Sequence, residues 1–143
     1  MYFQRIKHLR EEFEYTQDYV AKYLGCNRST YANWETGNII IPLDVASKLA
    51  ILYSVPLSFI LGVGTIHSIH DKIKIIDYEY MRKKLNELKK SNHDSYEKIS
   101  RYINNNRSTT NRYFNGKVNI PTDKLILLCE YYNVDVDELC GTK

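Results

Sequence analysis

Few residues of this 143-residue chain are arranged for covalent chemistry. No serine, histidine and aspartate follow one another in an order that suggests a catalytic triad, and no glycine-rich loop is present to cradle a phosphate. The chain is not expected to be an enzyme. His67 and His70 are three residues apart, with Asp71 beside them. They could share a metal only on a helix and with at least one further ligand, so no metal or cofactor is expected there. The cysteines, Cys26, Cys129 and Cys140, are odd in number and form no C-x-x-C pair. This argues against a disulfide scaffold or a zinc site, and they read as small buried apolar side chains. What remains is recognition chemistry. Arginine presents two parallel N–H donors and asparagine an adjacent donor and acceptor, the patterns that match guanine and adenine edges in a duplex. Both residue types cluster in Asn27-Arg28-Ser29-Thr30 and Asn33, and again in Asn106-Arg107-Ser108-Thr109 and Asn111-Arg112.

That recurrence is part of a larger one. A shift of 79 residues aligns the chain with itself without a gap: Gly37 falls on Gly116, Ile41-Pro42 on Ile120-Pro121, Leu49 on Leu128, Tyr53 on Tyr132, Val55 on Val134 and Gly62 on Gly141. Upstream, Leu9 falls on Leu88 and Tyr23 on Tyr102, and Trp34 meets the aromatic Tyr113. The chain therefore reads as two copies of one unit. Residues 1–62 form the first, 63–78 a linker, and 79–143 a second, diverged copy.

Each unit reads as about five short helices. Phe3, Ile6, Leu9 and Phe13 form one apolar stripe at helical spacing. Thr16 can cap a second helix carrying Val20, Ala21 and Leu24, which Gly25 ends. Asn27 can cap a third helix, closed by Gly37, and so short a turn between the two requires a steep crossing. Pro42 suits the start of a fourth helix with Val45, Leu49 and Leu52, and a short turn over 57–61 follows Pro56. In the second unit Met81, Leu85 and Leu88 line the first helix, and Ser95 and Asn106 can cap the next two, the latter running over 107–115. Thr122 opens the fourth, with Leu125, Leu128 and Tyr132. Trp34, Tyr113 and Tyr31 read as core aromatics. No segment of the two units alternates with period two, so the fold class is all-α.

The run Thr16-Gln17, Ala21, Gly25, Arg28-Ser29-Thr30-Tyr31, Trp34-Glu35 and Gly37 resembles the phage-repressor family of helix-turn-helix proteins, of Cro/CI or XRE type. The resemblance spans nearly all of residues 3–62. It implies two lambda-repressor-like domains in tandem, and a transcription regulator that binds double-stranded DNA. In that family the third helix lies in the major groove and the second braces it across the backbone. The resemblance places Arg28, Ser29, Ala32 and Asn33 toward base edges and Gln17 on backbone phosphate. The second unit departs from the pattern, with Tyr96 for the glutamine, Phe114 for the glutamate, Asn104 for Gly25 and Asn105 where an apolar residue is usual. Its corresponding readers are Arg107, Ser108, Asn111 and Arg112, with Lys22, Arg101 and Lys117 as further phosphate contacts.

Charge is compatible with such a partner. Residues 1–78 carry 8 basic and 8 acidic side chains, and residues 79–143 carry 12 and 9, so the net charge of +3 lies wholly in the second half. The N-terminal residues have no signal-peptide character, no apolar run approaches a membrane span, and a cytoplasmic location is expected. The linker reads either as a helix, from Ile66, Ile69, Ile73 and Ile76, or as a strand, from Lys72-Ile73-Lys74-Ile75. Two arrangements on DNA follow: an internal pseudo-dimer on an asymmetric operator, or a homodimer using the first unit alone. The competing class is a protein-interaction module, an antitoxin, anti-repressor or assembly part, whose second domain docks a protein partner through Tyr96 and Phe114.

Overall fold

The computed structural model describes residues 3–63 and 72–143. Among them are ten helices and no strand. The first five are α1 (Gln4–Glu12), α2 (Gln17–Leu24), α3 (Arg28–Thr36), α4 (Leu43–Tyr53) and α5 (Leu57–Ile60). The same order returns as α6 (Tyr78–Ser91), α7 (Tyr96–Tyr102), α8 (Arg107–Phe114), α9 (Thr122–Tyr132) and α10 (Val136–Cys140). No described helix is long and apolar enough to cross a membrane.

Local sequence explains the helix ends. The Thr16 hydroxyl accepts from the Tyr19 N–H at 3.0 Å, and the Asn27 side chain from the Thr30 N–H at 2.8 Å. Ser95 and Asn106 do the same for the Lys98 and Thr109 N–H groups, at 3.1 and 2.7 Å. Each cap satisfies a donor that the first turn leaves without an intrahelical partner. Gly25 leaves α2 with φ 76, a left-handed exit open to glycine at little cost. Asn104 stands at the equivalent turn with φ 55, which its short polar side chain tolerates.

The apolar stripes meet in one core that runs through both units, with Ile6, Val20, Leu49, Leu57, Leu85, Ile99, Leu125 and Leu128 fully buried. Trp34, expected in the core, is only half-buried and packs against it from the edge. Two substitutions between the copies compensate each other. Ala21 and Tyr31 of the first unit become Ser100 and Thr110, whose hydroxyls hydrogen-bond at 2.6 Å in the space the tyrosine fills. Asn105, replacing Cys26, donates to the hydroxyl of Tyr113, which replaces Trp34, at 3.2 Å.

The described part of the linker, residues 72–77, is neither helix nor strand but an extended segment. Its N–H groups are taken by other elements: Lys74 donates to the Thr142 carbonyl and Asp77 to the Cys140 carbonyl, each at 3.0 Å, and Ile76 to the Ser47 hydroxyl at 2.8 Å. A helix over these residues would have to withdraw those donors. Ile76 is buried, which fastens the linker between α4 and the C-terminal turn. Ile66, Ile69, His67, His70 and Asp71 lie outside the described residues.

The two units face each other through α5 and α10, which occupy the same place in the repeat. Both Ser58 and Asp137 are buried, and the Ser58 hydroxyl donates a short hydrogen bond to the Asp137 carboxylate. Their numbers differ by 79, so one position of the unit meets its own equivalent, as happens on the axis of an isologous dimer. The Ser58 N–H and the Thr142 hydroxyl also donate to this carboxylate, at 3.4 and 3.0 Å. Nearby, the Thr122 hydroxyl donates to the Ile41 carbonyl at 2.5 Å. Ser58→Ala removes one donor from a buried charge and should cost about 1–3 kcal/mol, read as a lowered urea midpoint.

Candidate nucleic-acid interface

The site is built on α2 and α3. Within α3, Tyr31 and Glu35 are buried four residues apart, so they fix which face turns inward. Ser29 stands exposed on the opposite face, with Ala32 and Asn33 half-exposed one turn later, and Arg28 is exposed at the first residue of the helix. Gln17, at the first turn of α2, is half-buried, and its side-chain oxygen accepts from the Arg28 Nε at 3.3 Å. That bond ties the start of α3 to the start of α2. Asn38, just past the helix, donates to the Asn33 side chain at 3.4 Å. All five sequence-selected residues of the first unit therefore gather on one surface.

Beneath this surface lies an ion pair. Arg10 of α1 donates to the Glu35 carboxylate through Nε at 3.0 Å and a terminal nitrogen at 2.7 Å, a forked geometry. Arg10 also donates to the Tyr15 carbonyl at 3.0 Å. The carboxylate is 2% exposed and the guanidinium 13%. Burial pushes the Glu35 carboxyl up, but the Arg10 guanidinium and the polar groups of Tyr31 and Gln17 outweigh it and hold the group below its ordinary value. The pair locks α3 against α1, and so sets the angle at which the outer face is presented.

In the second unit the corresponding residues are Lys89, Phe114 and Tyr96. Tyr96 packs edge-on against Phe114, ring centroids 5.7 Å apart, and the Lys89 ammonium sits 4.3 Å from the Tyr96 ring centre. An apolar and cation–π cluster thus replaces the ion pair at the same place in the fold. Phe114 is 1% exposed, so it is core and offers no surface to a protein partner, contrary to the expectation from sequence. Arg107, Ser108, Asn111 and Arg112 are all exposed on the outer face of α8. Among the described residues nothing bonds Arg107 as Gln17 bonds Arg28, because Tyr96 is engaged with Phe114 and Lys89.

Two features were missed from sequence. The Arg10–Glu35 pair was hidden because Arg10 looks like any charge on an amphipathic helix. The Ser58–Asp137 contact did have a signal: the same position of the repeat is polar in both copies, directly after the apolar Leu57 and Val136.

The Helix-turn-helix family model matches the chain twice, over residues 6–60 and 82–139. The chain belongs to that family, in its Cro/CI (XRE) branch. One similar curated protein is the uncharacterized HTH-type transcriptional regulator YobD of Bacillus subtilis, 36% identical over 63 residues, which is 44% of this chain and 56% of YobD. This helix-turn-helix chain therefore spans little more than half the length of that relative. No solved structure matches it. The family is one of DNA-binding transcription regulators, and the two matched regions are the two helical units.

Proposed function

We propose that this chain is a sequence-specific regulator of transcription that binds double-stranded DNA, with α3 in the major groove and both units engaging one duplex as an internal pseudo-dimer. The observation that carries the reading is the outer face of α3. Arg28, exposed at the helix start, and the half-exposed Asn33 are hydrogen-bonded to Gln17 and Asn38, while Tyr31 and Glu35 anchor the helix to the core. An α-helix fits the major groove, and pre-positioned Arg and Asn side chains match guanine and adenine edges there. Gln17 positions the helix against backbone phosphate, Ser29 offers its hydroxyl to a base edge, and Ala32 leaves room for a base edge or thymine methyl.

The pseudo-dimer rests on the contact between Ser58 and Asp137. In a symmetric homodimer a position near the axis meets its copy on another chain. Here the copy is on the same chain, which leaves that surface covered without a second molecule. The two outer faces differ in sequence, Arg28-Ser29-Ala32-Asn33 against Arg107-Ser108-Asn111-Arg112, so the two halves of the preferred site are unlike and the operator is asymmetric. Footprinting on a site selected from random DNA tests this, together with the mass of the complex. The expected result is one protected stretch of about two helical turns, with unlike halves and one chain bound. A palindromic site holding two chains would exclude the internal pseudo-dimer.

A further inference from the structure

The two outer faces carry different charge at the same five positions of the repeat. In the first unit, positions 17, 22, 28, 33 and 38 are Gln, Lys, Arg, Asn and Asn. In the second, positions 96, 101, 107, 112 and 117 are Tyr, Arg, Arg, Arg and Lys. Two cations stand against four. Arg101, Arg107, Arg112 and Lys117 are all exposed, and none has an ion-pair partner among the described residues. Some other basic residues of this unit are paired: Lys83 lies near Glu79, Lys84 near Glu87 and Lys98 near Asp94. These four cations lie on and around α8, with Lys117 just beyond its end, its N–H bonded to the Arg112 carbonyl at 3.1 Å.

The side chains are also held differently. Arg28 is tethered by Gln17 and Asn33 by Asn38. Of the residues that would do this in the second unit, Tyr96 is turned onto Phe114 and Asn38 has become the cation Lys117. Reading a base edge requires donors at fixed positions, whereas a phosphate accepts a cation over a range of geometries.

Resting on the DNA-binding reading above, we propose a division of labour. The first unit reads bases, and the α8 face of the second unit is a sequence-independent clamp on the phosphate backbone, formed by Arg101, Arg107, Arg112 and Lys117. The clamp supplies affinity and salt dependence, and the first unit supplies choice of site.

The test compares the full chain with an Arg107→Gln, Arg112→Gln, Lys117→Gln variant, and with an Arg107→Lys, Arg112→Lys variant. Each is measured for affinity against salt on duplex DNA and for the sequence it enriches from a random pool. The glutamine variant should lose about 2.7 from the slope of log affinity against log salt. The fall in affinity between roughly 50 and 200 mM salt is then about 40-fold smaller than for the parent chain. Its enriched sequence should be unchanged. The lysine variant should keep both slope and sequence, because a phosphate needs only the charge. An unchanged slope in the glutamine variant, or a changed enriched sequence in either variant, overturns the clamp. A parent chain that enriches no sequence and shows no salt-dependent binding overturns the DNA-binding reading itself, and the clamp with it.

Discussion

Replacing Arg28 and Asn33 together by alanine should abolish preference for the best site while leaving the helices intact. Each bidentate base contact gives roughly 1–3 kcal/mol of discrimination. Two of them sum to roughly 2–6 kcal/mol, which is about 30-fold to more than 10,000-fold in relative affinity. The helical content should not change, because Arg28 is exposed, Asn33 is half-exposed and alanine favours the helix. The α8 face keeps its cations in this variant, so binding to scrambled duplex should persist and should still weaken with salt. Anisotropy titrations on the selected and scrambled sequences read both quantities. A double variant that still distinguished them as the parent does would place the reading face elsewhere.

The second large effect concerns stability. Arg10→Ala leaves the Glu35 carboxylate, 2% exposed, without its cation. Removing one partner of a buried pair typically costs about 3–5 kcal/mol, a large share of the stability of a small unit. Chemical denaturation should show it. The second unit suggests the compensation, since Lys89, Tyr96 and Phe114 fill the same place without a buried charge. Arg10→Lys, Gln17→Tyr and Glu35→Phe, introduced together, should recover most of the loss. If the single Arg10→Ala change cost well under 1 kcal/mol, the pair would not be what holds α3 in place.

The same pair sets an acid limit. The folded Glu35 carboxyl lies below its ordinary value of 4.5, because Arg10 and its polar neighbours outweigh burial. The unfolded chain therefore takes up the proton first as pH falls. The stabilisation is fully present above about pH 4.5 and is lost as pH drops through the folded value. Asp94, buried but bonded to Tyr131 at 2.8 Å and near Lys98 at 3.2 Å, is also lowered and adds loss in the same direction. In Arg10→Ala the depressing partner is gone and burial raises the Glu35 carboxyl, so Glu35's share of the acid-induced loss should shrink or change sign, and the variant's stability should fall less steeply between about pH 5 and 3 than the parent's.

Much of this architecture was legible in the chain before any coordinates. The caps at Thr16, Asn27, Ser95 and Asn106 and the exit at Gly25 depend on a few adjacent residues, and adjacent residues suffice to recognise them. The outer face of α3 was legible in part because helical spacing turns Ser29 and Asn33 away from Tyr31, while Arg28, three residues before Tyr31, is exposed as the first residue of the helix. The role of Phe114 was not, since an apolar residue in place of a glutamate looks the same whether it faces solvent or its own core. Nor could the linker be read, because the partners of the Lys74, Ile76 and Asp77 N–H groups lie up to 68 residues away in sequence.

By itself the sequence determined the repeat, the helices and their caps, because these follow from spacing and from interactions within a turn or two. Only the tertiary structure decided how the copies meet, through Ser58 and Asp137, and that the ion pair under α3 becomes an aromatic cluster under α8. Those outcomes depend on which distant side chains burial brings together, and helical periodicity carries no record of that choice.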